Sequence, residues 1–109
     1  MAKIMIVDDS KLMRKKLSDI LSASGHTIVL ECDNGKSATE GYLAFKPDIV
    51  TMDMNMPGMN GIETIGIIMK IDPSARIIIV SSDSNEKTIL EGIRSGAKNY
   101  LVKPFRDEH

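Results

Sequence analysis

Short apolar runs alternate with amphipathic stretches along the whole chain. Ile4-Met5-Ile6-Val7 is continuously apolar, the pattern of a strand buried on both faces of a parallel sheet. Asp8-Asp9-Ser10 ends it with residues suited to capping a helix. Met13, Leu17, Ile20, Leu21 and Ser24 then recur at helical spacing, with Lys11, Arg14, Lys15, Lys16 and Asp19 largely on the other side. This predicts an amphipathic helix stopped by Gly25. Thr27-Ile28-Val29-Leu30 reads as a second, weaker strand, and Asp33-Asn34-Gly35 as a turn and cap. From Lys36 to Phe45 the shared face of Ala38, Tyr42 and Phe45 predicts a second helix, ended by Pro47. Asp48 to Asp53 is the third strand.

Ile62, Ile65, Ile68 and Met69 mark a third helix, broken at Asp72-Pro73. Arg76 to Val80 contains three consecutive isoleucines and is the plainest strand. Asn85 to Ser95, carrying Ile89 and Ile93, is a fourth helix closed by Gly96, and Asn99 to Val102 is a fifth strand ended by Lys103-Pro104. Such alternation predicts an α/β domain with a mainly parallel sheet and right-handed crossovers. A regular pattern calls for one more helix, but only Arg106-Asp107-Glu108-His109 follow Phe105, too few for a stable helix. Residues 1–109 are therefore expected to form one domain with its fifth helix missing or cut. The sheet face left bare predicts a homodimer, segment exchange or a longer natural chain.

Composition narrows the partners. A net charge of -1 with no basic block gives no reason to expect nucleic-acid or membrane binding. The single cysteine, Cys32, suits a reducing compartment. With no signal-peptide pattern and no long apolar span, a cytoplasmic location is expected.

The chemistry lies at the strand ends, where open parallel sheets build their sites. The first strand ends in Asp8-Asp9, the third in Asp53, the fourth in Ser81-Ser82-Asp83 and the fifth in Lys103-Pro104. Taken singly these are ordinary residues: Asp8 and Asp9 serve as helix caps, Ser81 to Ser84 as caps of the fourth helix, and Lys103 as a surface charge. Together they put three carboxylates, a hydroxyl and an ammonium on one rim. Crowded carboxylates repel one another unless a cation lies among them. An all-oxygen donor set favours Mg²⁺ over zinc. A divalent cation lets a phosphoryl group approach Asp53 as nucleophile, with Lys103 and Ser81 to meet its oxygens.

The order and spacing of these pieces resemble one family closely. Asp8-Asp9, Asp53 with Met56-Pro57-Gly58-Met59-Asn60-Gly61, Ser81-Ser82, and Gly96-Ala97 through Tyr100-Leu101-Val102-Lys103-Pro104-Phe105 resemble the receiver domain of two-component response regulators. Within it they are most similar to the single-domain chemotaxis type. The resemblance implies a flavodoxin-like fold with strand order 2-1-3-4-5. It implies that Asp53 takes a phosphoryl group from a histidine kinase, its phosphotransfer domain or a small acyl phosphate. It further implies Mg²⁺ held by Asp9, Asp53 and the main-chain carbonyl of Asn55, with Asp8 acting through water, and a phosphoryl group bound by Ser81 and Lys103. Ser81 and Tyr100 become a coupled switch altering the helix 4 and strand 5 surface read by an effector. Asn55, Ser82 and Asp83 tune self-dephosphorylation, the Lys103–Pro104 bond is cis, and Leu12, Met13 and Lys16 bear on kinase choice. Such a protein phosphorylates and dephosphorylates itself and is not otherwise an enzyme.

The rivals are distinct. An aspartate-nucleophile phosphatase resembles an Asp-x-Asp pattern, whereas this chain has Asn55 at the second position. A flavin or nucleotide binder suits glycine-rich turns better than an acidic first loop. A receiver used only as a binding module without phosphorylation is a third reading, against which stands the presence of all the expected residues, and a receiver at the front of a longer, for example transcriptional, regulator is a fourth. The methionines at 52, 54, 56 and 59 are expected to pack rather than bind metal. His26 and His109 lack ligand spacing, and Cys32 is expected to be a packing residue.

Overall fold

A computed structural model describes residues 1–103 of the chain. Among these residues, five strands alternate with four helices: β1 (Lys3–Val7), α1 (Lys11–Ala23), β2 (Thr27–Cys32), α2 (Gly35–Phe45), β3 (Ile49–Met52), α3 (Gly61–Ile71), β4 (Ile77–Ser81), α4 (Glu86–Ser95) and β5 (Asn99–Val102). The strands form one parallel sheet in the order β2-β1-β3-β4-β5, the order the family resemblance implies. The expectations about the missing helix, the cis bond at Pro104, Phe105 and His109 fall on residues 104–109, outside the described residues.

Side-chain alternation divides the core between the two sheet faces. Met5, Val7, Val50, Met52, Ile77 and Ile79 point one way, into a cluster with Ala38 and Tyr42 of α2 and Ile65 and Ile68 of α3. Ile4, Ile6 and Val80 point the other way, toward Leu17 of α1, with Met13, Ile20, Leu21, Ile28, Ile49, Ile78 and Leu101 packed around them. Met54 and Met56 join the first cluster, the packing role expected of them.

The helix starts follow local chemistry. Ser10 caps α1 by accepting from the Met13 N–H, and Asn34 caps α2 through the Ser37 N–H. Asn60 and Glu63 close a reciprocal capping box at α3. Helix α4 differs from expectation: its cap is Asn85, which accepts from the Lys87 N–H, and not any of residues 81–84. Ser81 is instead paired as the last residue of β4.

Two apolar residues fall off the faces assigned to them. Phe45, in the last turn of α2, is 50 % exposed. Gly41 takes the inner position beside Ala38 and Tyr42, and a Cβ there would strike Leu30. Ile93 is likewise exposed, while Gly92 holds the buried position on α4. In both helices a glycine brings the backbone close to the sheet, a contact invisible to a search for apolar periodicity. Strand β2 also runs two residues beyond Leu30, because Glu31 and Cys32 pair with Ile6 and Val7. Strand β3 is shorter by its terminal aspartates, although the Asp53 N–H still reaches the Val7 carbonyl at 2.9 Å.

Candidate functional site

Strand order reverses at β1, which has β2 on one side and β3 on the other. That reversal opens a crevice at the carboxyl ends of β1 and β3, and Asp8 and Asp53 are the residues that step into it. Both are buried, at 1 % and 6 % exposure, whereas the neighbouring Asp9 faces solvent. Carboxylate oxygens of Asp8, Asp9 and Asp53 all lie within 4.8 Å of one another.

Lys103, at the end of β5, reaches across to this cluster. Its Nζ is 2.8 Å from Asp8 Oδ2 and 3.7 Å from Asp53 Oδ1, with the lysine side chain 15 % exposed. The shorter contact is a charge-assisted hydrogen bond, so the ammonium belongs mainly to Asp8 and is only a neighbour of Asp53. Asp8 Oδ1 accepts from the Ser10 N–H at 2.9 Å.

One ammonium does not balance three carboxylates. Burial, above all, pushes the Asp53 carboxyl up to about 6, and the Asp8 charge adds to the push. Lys103 and the Asn55 backbone N–H oppose it, and Asp9 raises it slightly further. A buried carboxylate with two others beside it and one ammonium between them is short of positive charge. The donor set consists only of hard oxygens at a solvent-facing rim. A small, hard divalent cation such as Mg²⁺ fits both conditions.

Two further side chains meet on the β4–α4 loop. Ser81 is fully buried, and its Oγ accepts from the Asp83 N–H at 3.2 Å. The Tyr100 hydroxyl donates to the Asp83 carbonyl at 2.7 Å. Burial raises the Tyr100 phenol above its ordinary value, with the Ser81 hydroxyl working against the rise. Ser81 and Tyr100 thus grip opposite sides of one residue. Asp83 is half-buried, and its carboxylate accepts from the Asn85 N–H at 2.9 Å. Ser82 and Asn55 are exposed at the rim.

The loop after Asp53 is held tightly at its far end. The Gly61 N–H donates to the Met54 carbonyl at 3.0 Å. A Cβ at Gly61 would collide with the Asp53 carbonyl oxygen and come within 2.8 Å of Met54 Cα. Glycine is needed here because backbone meets backbone.

The helical pattern puts Arg14 with the lysines on the polar side of α1, but its Nη1 donates to the Asp8 main-chain carbonyl at 2.7 Å. A signal was available: Arg14 lies three residues before Leu17 and seven before Leu21, on the stripe that faces the sheet. Leu12, on the same helix, is 80 % exposed, while Met13 is half-buried and packs on the sheet.

Residues 4–109 match the family described as the response regulator receiver domain. The chain is similar to a chemotaxis protein CheY of Thermotoga maritima, at 48 % identity over 104 residues covering 95 % of this chain and 87 % of the relative. It is also similar to a chemotaxis protein CheY of Bacillus subtilis, at 43 % identity over 104 residues with the same two coverages. Among solved structures, a CheX-CheY-BeF3-Mg²⁺ complex from Borrelia burgdorferi matches with a TM-score of 0.95 and 34 % identity, covering 97 % of this chain and 81 % of that one. Among the described residues, no helix is long and apolar enough to cross a membrane.

Proposed function

The chain belongs to the response regulator receiver family, and on that premise we propose that it is a phosphorylation-dependent switch for chemotaxis signalling, with Asp53 as phospho-acceptor. The observation that carries this reading is convergence from four strands. A buried carboxylate, an acidic pair, a buried hydroxyl and a lysine ammonium share one rim.

An Asp53 carboxylate oxygen attacks the phosphorus of a phosphohistidine or of a small acyl phosphate. The new O–P bond forms as the P–N or P–O bond to the donor breaks, and its electron pair leaves with the imidazole or the acyl carboxylate. Lys103 offsets charge on the phosphoryl oxygens, turning from its 2.8 Å contact with Asp8 toward the group on Asp53, 3.7 Å away. Asp9, Asp53 and the main-chain carbonyl of Asn55 are the residues to hold Mg²⁺, with Asp8 reaching it through water. Bound there, the cation supplies charge neutralisation for the incoming group.

The signal leaves through Asp83. When the Ser81 hydroxyl turns to donate to a phosphoryl oxygen, the oxygen that accepts the Asp83 N–H moves with it. That loosens the loop on which the Tyr100 hydroxyl rests, so the state of Asp53 reaches the α4 and β5 surface where an effector binds. Asn55, Ser82 and Asp83 border the path of attacking water and set the phosphoryl lifetime. The donor partner is a histidine kinase or its phosphotransfer domain. The likeness to a CheX-CheY-BeF3-Mg²⁺ complex from Borrelia burgdorferi supports the Mg²⁺ part of this reading.

Incubation with acetyl phosphate and Mg²⁺, followed by intact mass, tests the proposal. Wild type gains one phosphoryl group that hydroxylamine removes, and EDTA prevents its formation. An identical adduct on Asp53→Asn, or equal formation in EDTA, contradicts it.

A further inference from the structure

Arg14 lies behind the acidic loop and has no part in the chemistry described so far. Its side chain is only 16 % exposed, low for a cation on a helix. Nη1 donates to the Asp8 main-chain carbonyl at 2.7 Å, and Nε pairs with Glu31 Oε1 at 3.4 Å. Glu31 precedes Cys32 at the end of β2, and the Cys32 carbonyl accepts the Asp8 N–H at 3.0 Å. Both backbone polar groups of Asp8 are therefore tied down, the N–H by β2 and the carbonyl by α1. The two oxygens of its carboxylate are taken by the Ser10 N–H and by Lys103. An unbroken series of contacts runs from Glu31 through Arg14 and Asp8 to the Lys103 ammonium, which stands 3.7 Å from Asp53.

The chemistry of the guanidinium suits this place. Its planar fork serves two acceptors in different directions at once, which a lysine ammonium on a flexible stem does poorly. When Lys103 turns toward a phosphoryl group, Asp8 loses its shortest charged contact while two other carboxylates remain beside it. A backbone held from both sides keeps that carboxylate in place as the ammonium moves.

We propose that Arg14 is a positioning residue for phosphoryl transfer: held by Glu31, it fixes the Asp8 main chain and, through the Asp8 carboxylate, sets where Lys103 stands. This rests on Asp53 being the phospho-acceptor.

The test is a double-mutant cycle on the rate of adduct formation with acetyl phosphate at saturating Mg²⁺. Arg14→Ala slows the reaction about tenfold, as sub-ångström misplacement of a charged group does, and Arg14→Lys recovers part of the loss. On an Asp8→Asn background the same Arg14→Ala change costs less than about twofold, because its effect passes through Asp8. Lys15→Ala, which removes only an exposed ion pair with Asp19, leaves the rate unchanged. In metal-free protein, the Asp8 side-chain carboxyl carbon resonance moves in Arg14→Ala and stays put in Lys15→Ala. If Arg14→Ala unfolds, Glu31→Gln keeps the arginine and removes its anchor, and the reaction slows by about threefold in a folded protein. An Arg14→Ala rate within about twofold of wild type, an equal loss on both backgrounds, or an unmoved Asp8 resonance overturns the inference. No adduct on wild type overturns the phospho-acceptor reading itself. Normal wild-type adduct with an unaffected Arg14 variant overturns this inference alone.

Discussion

Replacing the proposed phospho-acceptor should make the metal-free protein more stable. Asp53 is buried beside Asp8, and these two causes, in that order, lift its carboxyl from 3.8 to about 6. A folded-state value above the unfolded one means that the native state binds the proton more tightly. The stabilisation is full below about pH 3.8 and is lost as pH rises through about 6. The displacement, 6 less 3.8, is about two pH units, and at about 1.4 kcal/mol per unit it costs wild type about 3 kcal/mol at neutral pH. Asp53→Asn removes the titration with little change in shape. It also gives up the 3.7 Å contact with Lys103, so about 2 kcal/mol of net gain is the fairer expectation. Urea unfolding followed by circular dichroism, in EDTA, measures it at about pH 7.5 and about pH 4. The variant should exceed wild type at the higher pH and converge with it at the lower. Added Mg²⁺ should narrow the gap at the higher pH by stabilising wild type alone. A gap of the same size at both values, or a variant less stable than wild type near neutrality, refutes the reasoning.

Other changes have equally definite outcomes. Gly61→Ala forces a Cβ against the Asp53 and Met54 backbone and should cost about 2 kcal/mol by chemical denaturation. Gly66→Ala, with open space around it, should instead add about 0.5–1 kcal/mol through helix propensity. Thr51 Oγ1 is buried with no hydrogen-bond partner among the described residues, so Thr51→Val should raise stability by about 1 kcal/mol. The Tyr42 phenol is pushed up to about 12, by burial first and then by its 2.7 Å hydrogen bond to Asp72. Its contribution to stability is complete below about pH 10 and disappears as pH rises through about 12. Phenolate absorbance should show a step near pH 12 in wild type that Tyr42→Phe lacks, and a native protein whose tyrosines all ionise near pH 10 would count against this.

Much of this was legible because the relevant signals are local. Continuous apolar runs such as Ile77-Ile78-Ile79 mark strands covered on both faces, and the strand ends name the rim residues directly. The carboxylates of Asp8 and Asp53 and the Lys103 ammonium do meet in the folded chain, and the Lys103 N–H donates to the Ser81 carbonyl at 2.7 Å. What escaped was whatever depends on backbone proximity or on a long polar side chain turning inward. Phe45 and Ile93 looked like core residues by spacing, yet Gly41 and Gly92 take the sheltered positions. Arg14 looked solvated because its charge hid its place on the Leu17 and Leu21 stripe. The grip of Ser81 and Tyr100 on Asp83 depends on how the β4–α4 loop folds back, and no periodicity records that. The α4 cap at Asn85 was lost among several adjacent residues with the same capping chemistry.

The central claim is that Asp53 itself carries the phosphoryl group. Borohydride reduction converts an aspartyl phosphate to homoserine, so tandem mass spectrometry of protein treated with acetyl phosphate and Mg²⁺ names the acceptor. Homoserine at position 53, absent when Mg²⁺ or acetyl phosphate is withheld, is the predicted result. Homoserine at Asp8 or Asp9 in its place, or at no residue despite a folded protein, contradicts the claim.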